Sequence, residues 1–201
     1  MSVTDARTAG SGRRRPARER LLAAAARRFY ADGVAATGID TITSEAGVAK
    51  MSLYNNFSSK ADLVRAYLDA RHEEWLGLYR ARSEQARGPR EGVLAVFDAY
   101  ADHAAFAYEH GFRGCGLLNA AAELPAGDEG RAVVRAHKEE VERLIAGHLE
   151  QLLPGRPGEA DALAEHLAFL LEGAMARAGL EGDGDRLQHA RSLAAALLDR
   201  L

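Results

Sequence analysis

The sequence predicts an all-α protein, and three observations support this class. The 201-residue chain is 47% hydrophobic with only 5 prolines, and its bulk consists of the helix-favouring residues Ala, Leu, Arg and Glu. Its apolar residues recur at the three- and four-residue spacing of a helical face. Short stretches rich in Gly, Pro and Asp interrupt this pattern. Together these features predict about nine helices along the chain.

The first part of the chain predicts a tail followed by three helices. Residues 1–15 are small, polar and basic, and we expect them to be disordered. The three helices are expected at residues 18–32, 39–46 and 50–56. Gly33 is a suitable stop for the first helix. Gly47 ends the second, and a glycine there allows the positive φ that a tight turn can require.

A long helix is expected from Lys60 onward. Ser59 is its predicted N-cap, and Asp62 at the third helical position can reach back toward it in a variant of the capping box. Breaks rich in Gly, Pro and Asp then separate the remaining helices. These breaks lie at residues 86–92, 110–116, 124–130, 153–159 and 181–185.

The charges are distributed unevenly between the two parts of the chain. Residues 1–60 hold ten Lys and Arg against five Asp and Glu, a net charge of +5. Residues 61–201 hold sixteen against twenty-four, a net charge of −8, so that the whole chain carries −3. A basic head on an acidic body suggests that the head meets a polyanion, although random variation of the surface is an alternative.

Other features point to a cytoplasmic protein. No apolar run approaches the roughly 18 residues of a membrane span, so no membrane partner is expected. The N-terminal residues lack the apolar segment of a signal peptide. The single cysteine, Cys115, has no partner for an internal disulfide.

The third predicted helix presents an unusual surface. We expect Leu53 and Phe57 to point inward, since they lie four residues apart on one helical face. The outward residues are then Met51, Ser52, Tyr54 and Asn55. Ser and Asn side chains can bond base edges, and Met can contact a thymine methyl group. Two short helices joined by a tight turn form a helix-turn-helix, whose second helix enters the major groove of DNA.

This region resembles the DNA-binding helices of the TetR (tetracycline-repressor-like) family of bacterial transcription regulators. The shared residues are Thr37, Ile42, Ala46, Gly47, Val48, Leu53, Tyr54, Phe57, Ser59, Lys60 and Leu63. Thr43 departs from the alanine that usually follows the isoleucine, but it is small enough to fit. The resemblance implies a three-helix DNA-binding domain at residues 16–60 and a larger helical domain for effector binding and dimerisation at residues 61–201.

The resemblance also implies roles for individual residues of the head. Those that would face the bases are Lys50, Met51, Ser52 and Asn55. Those that would hold phosphates are Thr37, Tyr54 and Lys60, the last aided by a helix N-terminus. Two alternatives stay open, because Tyr54 could be a half-buried packing residue and Lys60 an ordinary solvated lysine. The arginines at 13–15 could reach a neighbouring phosphate or the minor groove.

For the body, the resemblance implies a homodimer and a small-molecule effector. The helices near 160–180 and 185–201 are apolar on more than one side, so two from each subunit would form the interface, with burial inside one chain as the alternative. The candidate effector-binding residues are Trp75, Tyr79, Phe97, Tyr100, Phe106, Cys115, Asn119, Glu123 and His137. The alternative for the last four is a purely structural role, with Asn119 and Glu123 pairing with a neighbouring Arg or His.

The function expected is that of a repressor, not an enzyme, which an effector releases from a near-palindromic double-stranded DNA operator. No cofactor or metal is expected, since no histidine has the flanking ligand spacing of a metal site. One alternative is an architectural DNA-binding protein without an effector. Another is a redox-sensing regulator that uses Cys115, and a third is an enzyme with Cys115 and His137 as nucleophile and base.

Overall fold

The computed structural model describes residues 16–106 and 109–201, and these residues form nine helices and no strand. The predicted all-α class is therefore confirmed. The helices are α1 (Ala17–Asp32), α2 (Ile39–Ala46), α3 (Lys50–Tyr54), α4 (Lys60–Ser83), α5 (Pro89–Ala104), α6 (Gly116–Glu123), α7 (Glu129–Leu152), α8 (Pro157–Glu181) and α9 (Asp185–Leu198). The predicted tail at residues 1–15 lies outside the described residues.

The first three helices pack around α1 to form the head. Their apolar side chains meet in one core, in which Leu21, Ile42 and Leu53 are each fully buried. Gly47 ends α2 in the left-handed region at φ 61°, where its N–H bonds the last carbonyls of the helix. This position favours glycine because a side chain is strained at positive φ.

Helix α3 is shorter than predicted and ends at Tyr54 instead of residue 56. The Asn56 side chain donates to the Ser52 carbonyl at 2.7 Å, and its own N–H bonds the Leu53 carbonyl three residues back. Asparagine competes with helical bonding in this way, which the apolar spacing alone does not reveal.

Helix α4 begins where the sequence predicts. The Ser59 hydroxyl accepts from the Asp62 N–H at 3.1 Å, which confirms the N-cap. The Asp62 carboxylate accepts from the Ser58 N–H at 2.8 Å, so the reach-back bond goes one residue further than in a capping box. The helix then runs for 24 residues. Its first half packs into the head core at Leu63, and its second half packs into the body core at Trp75.

The body is a bundle in which α5 lies among α4, α7 and α9, and α8 covers α7 and α9. Its core includes the fully buried Phe97, Ile145 and Leu167. The short α6 lies at the head, because its Leu117 and Ala120 belong to the head core. None of the helices in the described ranges is both long and apolar enough to cross a membrane.

Candidate nucleic-acid interface and core cavity

Helix α3 presents the polar face that its sequence predicts. Leu53 is fully buried, whereas Met51 is 69% exposed and Tyr54 is 49% exposed. Lys50 and Asn55 are also exposed, and Ser52 is half-buried. Tyr54 is thus half covered, with its remaining surface open to solvent, so its role as a phosphate ligand stays a prediction beside the packing alternative. The helix presents hydrogen-bonding groups and one thioether to solvent, as direct reading of base edges requires.

Contacts to α1 hold the helix-turn-helix together. The Arg20 Nη1 donates to the carbonyls of Ala46 and Gly47, each at 3.1 Å, and so fixes the turn between α2 and α3. Thr43 is buried at 5% exposure, and its hydroxyl donates to the Asp40 carbonyl at 3.1 Å. The threonine thus fits the position where the family usually has alanine, because its hydroxyl is satisfied within α2.

The phosphate role expected for Thr37 requires a correction. Thr37 is only 2% exposed, and its hydroxyl donates to the Gly33 carbonyl at 2.6 Å. The side chain therefore closes the turn after α1 and does not reach the surface. Lys60 differs, because it is partly exposed in the first turn of α4. Its role as a phosphate ligand stays a prediction.

Lys50 begins α3 beside an acidic residue of α2. Its Nζ lies 2.8 Å from the Asp40 carboxylate, and this hydrogen bond raises the pKa of the Lys50 ammonium above its ordinary value. The two side chains are 55% and 80% exposed, so solvent weakens their attraction. Lys50 therefore stays charged, and its ammonium can exchange the Asp40 carboxylate for an acceptor group of DNA.

The body contains a small cavity at its end nearest the head. Its volume is about 20 Å³, and helices α4, α5, α7 and α8 line it together with residues 112–117. Four of the predicted effector residues lie on its wall, namely Trp75, Tyr100, Cys115 and His137. A volume of this size corresponds to about one water molecule. A larger molecule therefore requires the wall to move.

A chain of polar contacts surrounds this cavity. The two ring nitrogens of His137 lie 2.8 Å from His72 Nδ1 and 3.4 Å from the Tyr100 hydroxyl. Burial, together with the nearby Lys138 ammonium, lowers the pKa of His137 to about 2. His137 is therefore neutral at physiological pH. Lys138 itself bonds Glu172 at 2.7 Å and the Tyr100 hydroxyl at 3.2 Å.

Segment 113–116, whose residues 114–116 line the cavity, also contacts the end of α1. The Tyr30 hydroxyl donates to the Gly114 carbonyl at 3.1 Å and accepts from the Arg113 N–H at 2.6 Å. The Arg113 guanidinium donates to the carbonyls of Tyr30, at 2.9 Å, and Ala31. These bonds satisfy carbonyls that a helix end leaves without partners. One segment thus joins the cavity of the body to a helix of the head.

Known proteins share both the sequence of the head and the whole fold. The family described as bacterial regulatory proteins, tetR family, matches residues 21–67. A solved TetR-family transcriptional regulator from Streptomyces coelicolor is 35% identical, with a TM-score of 0.79 over 92% of this chain and 94% of that one. The chain belongs to the TetR family. It is therefore a DNA-binding transcription regulator, a class distinct from enzymes.

Two further relatives agree with this membership. A solved TetR transcriptional regulator from Chloroflexus aurantiacus is 26% identical to this chain, with a TM-score of 0.78. The match covers 91% of this chain and 94% of that one. The HTH-type transcriptional regulator TtgR of Pseudomonas putida is 41% identical over 86 residues. That match spans 40% of this chain and 41% of TtgR. The similarity to TtgR is thus confined to less than half of either protein.

The other five predicted effector residues of this TetR-family regulator lie away from the cavity wall. Phe97 is fully buried in the body core, and Phe106 lines a groove on the outside. The Tyr79 hydroxyl bonds His148 Nε2 at 2.8 Å. Asn119 donates to the Arg113 carbonyl at 2.9 Å. Glu123 accepts from the N–H groups of Val34 and Ala35 at 3.1 and 2.6 Å, so it caps the turn after α1.

Several residues of the cavity wall are not among the predicted effector residues. Arg71 precedes Trp75 by four residues and His103 follows Tyr100 by three, so helical spacing was the available signal for both. Met175 reaches the wall from α8 through packing that no local pattern encodes. Within residues 16–106 and 109–201, no cluster of three or more His, Cys, Asp or Glu could hold a metal ion.

Proposed function

We propose that this TetR-family regulator is a cytoplasmic repressor that a small molecule releases from a near-palindromic operator. In this proposal, the α3 face contacts bases through Lys50, Met51, Ser52 and Asn55. Tyr54 and Lys60 hold phosphates. The division into a DNA-binding domain at 16–60 and an effector domain at 61–201 belongs to the same proposal.

One observation carries the effector-responsive part of the proposal. Residues 114–116 line the body cavity, and Gly114 and the adjacent Arg113 hold the last turn of α1 through bonds that include the Tyr30 hydroxyl and carbonyl. Because the cavity holds only about one water molecule, a larger occupant must displace a part of its wall. Displacing this segment changes the position of α1 and therefore of α3. The effector shifts the protein toward the displaced state only by binding that state more tightly.

The partner in this proposal is a second copy of the same chain. Apolar side chains protrude from α8 and α9, where Phe169 is 66% exposed, Leu180 84% and Leu193 42%. Beside them, Gly173 and Ala174 line a shallow apolar surface and allow close approach of another helix. Two such helices from each subunit would bury these side chains and set the distance between the two α3 faces.

The first test is a gel shift with the DNA upstream of the protein's own gene. Asn55→Ala removes an amide suited to a bidentate bond with adenine, and we expect operator affinity to fall about tenfold or more, since one such contact is worth roughly 1–3 kcal/mol. The melting temperature is expected to stay unchanged because Asn55 is exposed. Gln85→Ala, which truncates an exposed amide beyond the end of α4, is the matched control and should bind as the unchanged protein does.

The alternatives predict different results. Equal operator affinity of Asn55→Ala and Gln85→Ala would contradict the assignment of α3 as the reading helix. Failure of every small molecule to release the DNA would favour an architectural DNA-binding protein. In a reporter strain, expression that falls when the gene is deleted would identify an activator, whereas the proposed repressor predicts a rise.

A further inference from the structure

The body cavity is too small for any molecule much larger than water, and its lining indicates what a larger occupant must offer. Trp75 lies on its wall, is 1% exposed, and its indole N–H has no acceptor among the described residues. A buried N–H without an acceptor costs free energy, which an acceptor on a ligand would recover. The wall thus favours an occupant that brings an oxygen acceptor to Trp75.

A second buried hydroxyl lies beside the same wall. Tyr67 is 1% exposed, and its hydroxyl also has no hydrogen-bond partner among the described residues. It faces Gly116, which lines the cavity, so closely that a Cβ at that glycine would lie 3.0 Å from the hydroxyl oxygen. Displacement of segment 113–116 would therefore open the space between this hydroxyl and the cavity.

The described wall has one charged side chain, and this side chain is cationic. Arg71 is the one Lys, Arg, Asp or Glu among the described residues that line the cavity. Its Nη2 contacts both Glu74 and His103, so a ligand carboxylate would share the guanidinium, which has five N–H donors, with Glu74. Arg71 also lines an outer groove of about 160 Å³ beside α1, and it therefore separates the cavity from solvent. A guanidinium in this position suits a carboxylate, which it can bind through two parallel hydrogen bonds.

We propose that the effector is a small carboxylate with a flat apolar body. Its carboxylate accepts from the Trp75 N–H and the Arg71 guanidinium, and its apolar body lies against Tyr100, Phe112 and Met175, which are apolar or aromatic parts of the wall. It enters from the outer groove past Arg71. This inference rests on the proposed function, because it names the chemical class of the molecule that releases the DNA.

The protein has one tryptophan, Trp75, so its fluorescence reports directly on the cavity. We expect phenylacetate to change the emission of Trp75 saturably. Phenylacetamide has the same shape without the charge and should bind at least tenfold more weakly. Phenethylamine, with the opposite charge, should not bind. Titration of the protein without DNA keeps this result independent of operator binding.

Two variants assign the binding to the named groups. Arg71→Gln should weaken phenylacetate binding at least tenfold, whereas Arg135→Gln, which removes an exposed arginine of α7, should leave it unchanged. Trp75→Phe keeps a flat ring but removes the N–H, and calorimetry should show weaker binding by several fold. This second variant tests the inference even where Arg71→Gln fails to fold.

Three results would overturn the inference: equal binding of phenylacetate and phenylacetamide, preference for phenethylamine, or binding of none of the three. The last result would leave the cavity to a single water molecule that accepts from Trp75. Phenylacetate binding without release of DNA would support the site but contradict the effector role. Release of DNA by neutral compounds alone would support an effector role but contradict the carboxylate site.

Discussion

His137 is a buried titratable group whose surroundings make stability depend on pH. Burial first, and then the Lys138 charge, lower its pKa to about 2 in the folded protein, whereas an unfolded histidine has a pKa of about 6.5. Below about pH 6.5 the unfolded chain therefore binds a proton that the folded protein does not. The free energy of unfolding should fall by up to about 1.4 kcal/mol per pH unit from this residue alone.

Urea unfolding at pH values from 7.5 down to 5, taken in steps of about half a unit, measures this slope. His137→Gln, which keeps a polar side chain without the titration, should make the slope shallower by about one proton. His148, whose pKa is also lowered by burial, continues to contribute. Gln85→Ala changes an exposed side chain that does not titrate and should leave the slope as it is. Equal slopes for the two variants would show that His137 charges without unfolding.

The sequence predicted residue environments well where one helix decides them. The exposure of Met51 and Tyr54 and the burial of Leu53 follow from helical periodicity within α3. The partners of Thr37 and Glu123 were not predicted, because they are main-chain groups in turns, which no side-chain pattern encodes, although a structural role for Glu123 was one of the two alternatives. Glu123 in particular bonds Val34 and Ala35 across 88 to 89 positions of sequence.

Helices α1 and α8 are linked through the cavity segment, and one glycine of α8 controls the space between them. A Cβ added at Gly179 would lie 2.7 Å from Gly114 Cα and 2.9 Å from the Arg113 carbonyl carbon. These are main-chain atoms, so the segment itself must move to make room. Gly114 itself has φ +82°, a backbone conformation that glycine adopts readily and that strains a residue with a side chain.

We therefore expect Gly179→Ala to push segment 113–116 off the end of α1. Operator affinity without any effector should fall about tenfold, with a lower melting temperature, because the substitution costs roughly 1–3 kcal/mol. Gly147→Ala on α7 faces open space and should raise the melting temperature slightly, since alanine favours a helix more than glycine does. Gel shifts and thermal melts of both variants check this. If the operator affinity of Gly179→Ala is unchanged, the position of segment 113–116 does not influence DNA binding.

The order of the helices was accessible from the sequence because their ends carry local signals. Gly33, Gly47 and Ser59 stand at the helix ends where they were expected. Pro89 and Pro157 occupy the first turns of α5 and α8, where a missing N–H costs nothing. The cavity was only partly accessible, because α4, α5, α7 and α8 reach it from distant parts of the chain.

At the scale of the whole molecule, DNA binding in our proposal requires two subunits. Phe169→Asp places a charge on the protruding apolar surface of α8 and should leave the protein monomeric at micromolar concentration. Operator affinity should then fall at least about a hundredfold, because the second half-site is no longer tethered. Sedimentation and gel shifts measure the two effects. Gln85→Asp adds the same charge at an exposed site outside α8 and α9 and should change neither the oligomeric state nor the operator affinity. A protein that is monomeric without any substitution would refute the proposal.

The bonds from Arg20 to the carbonyls of Ala46 and Gly47 have a consequence for gene control. They fix the turn between α2 and α3 against α1. A displacement of α1 therefore moves the three helices together as a rigid body. The spacing of donors and acceptors along α3 is then the same in every regulatory state. In our proposal, a signal that reaches the body therefore alters how often the promoter is occupied, while the preferred base sequence stays constant.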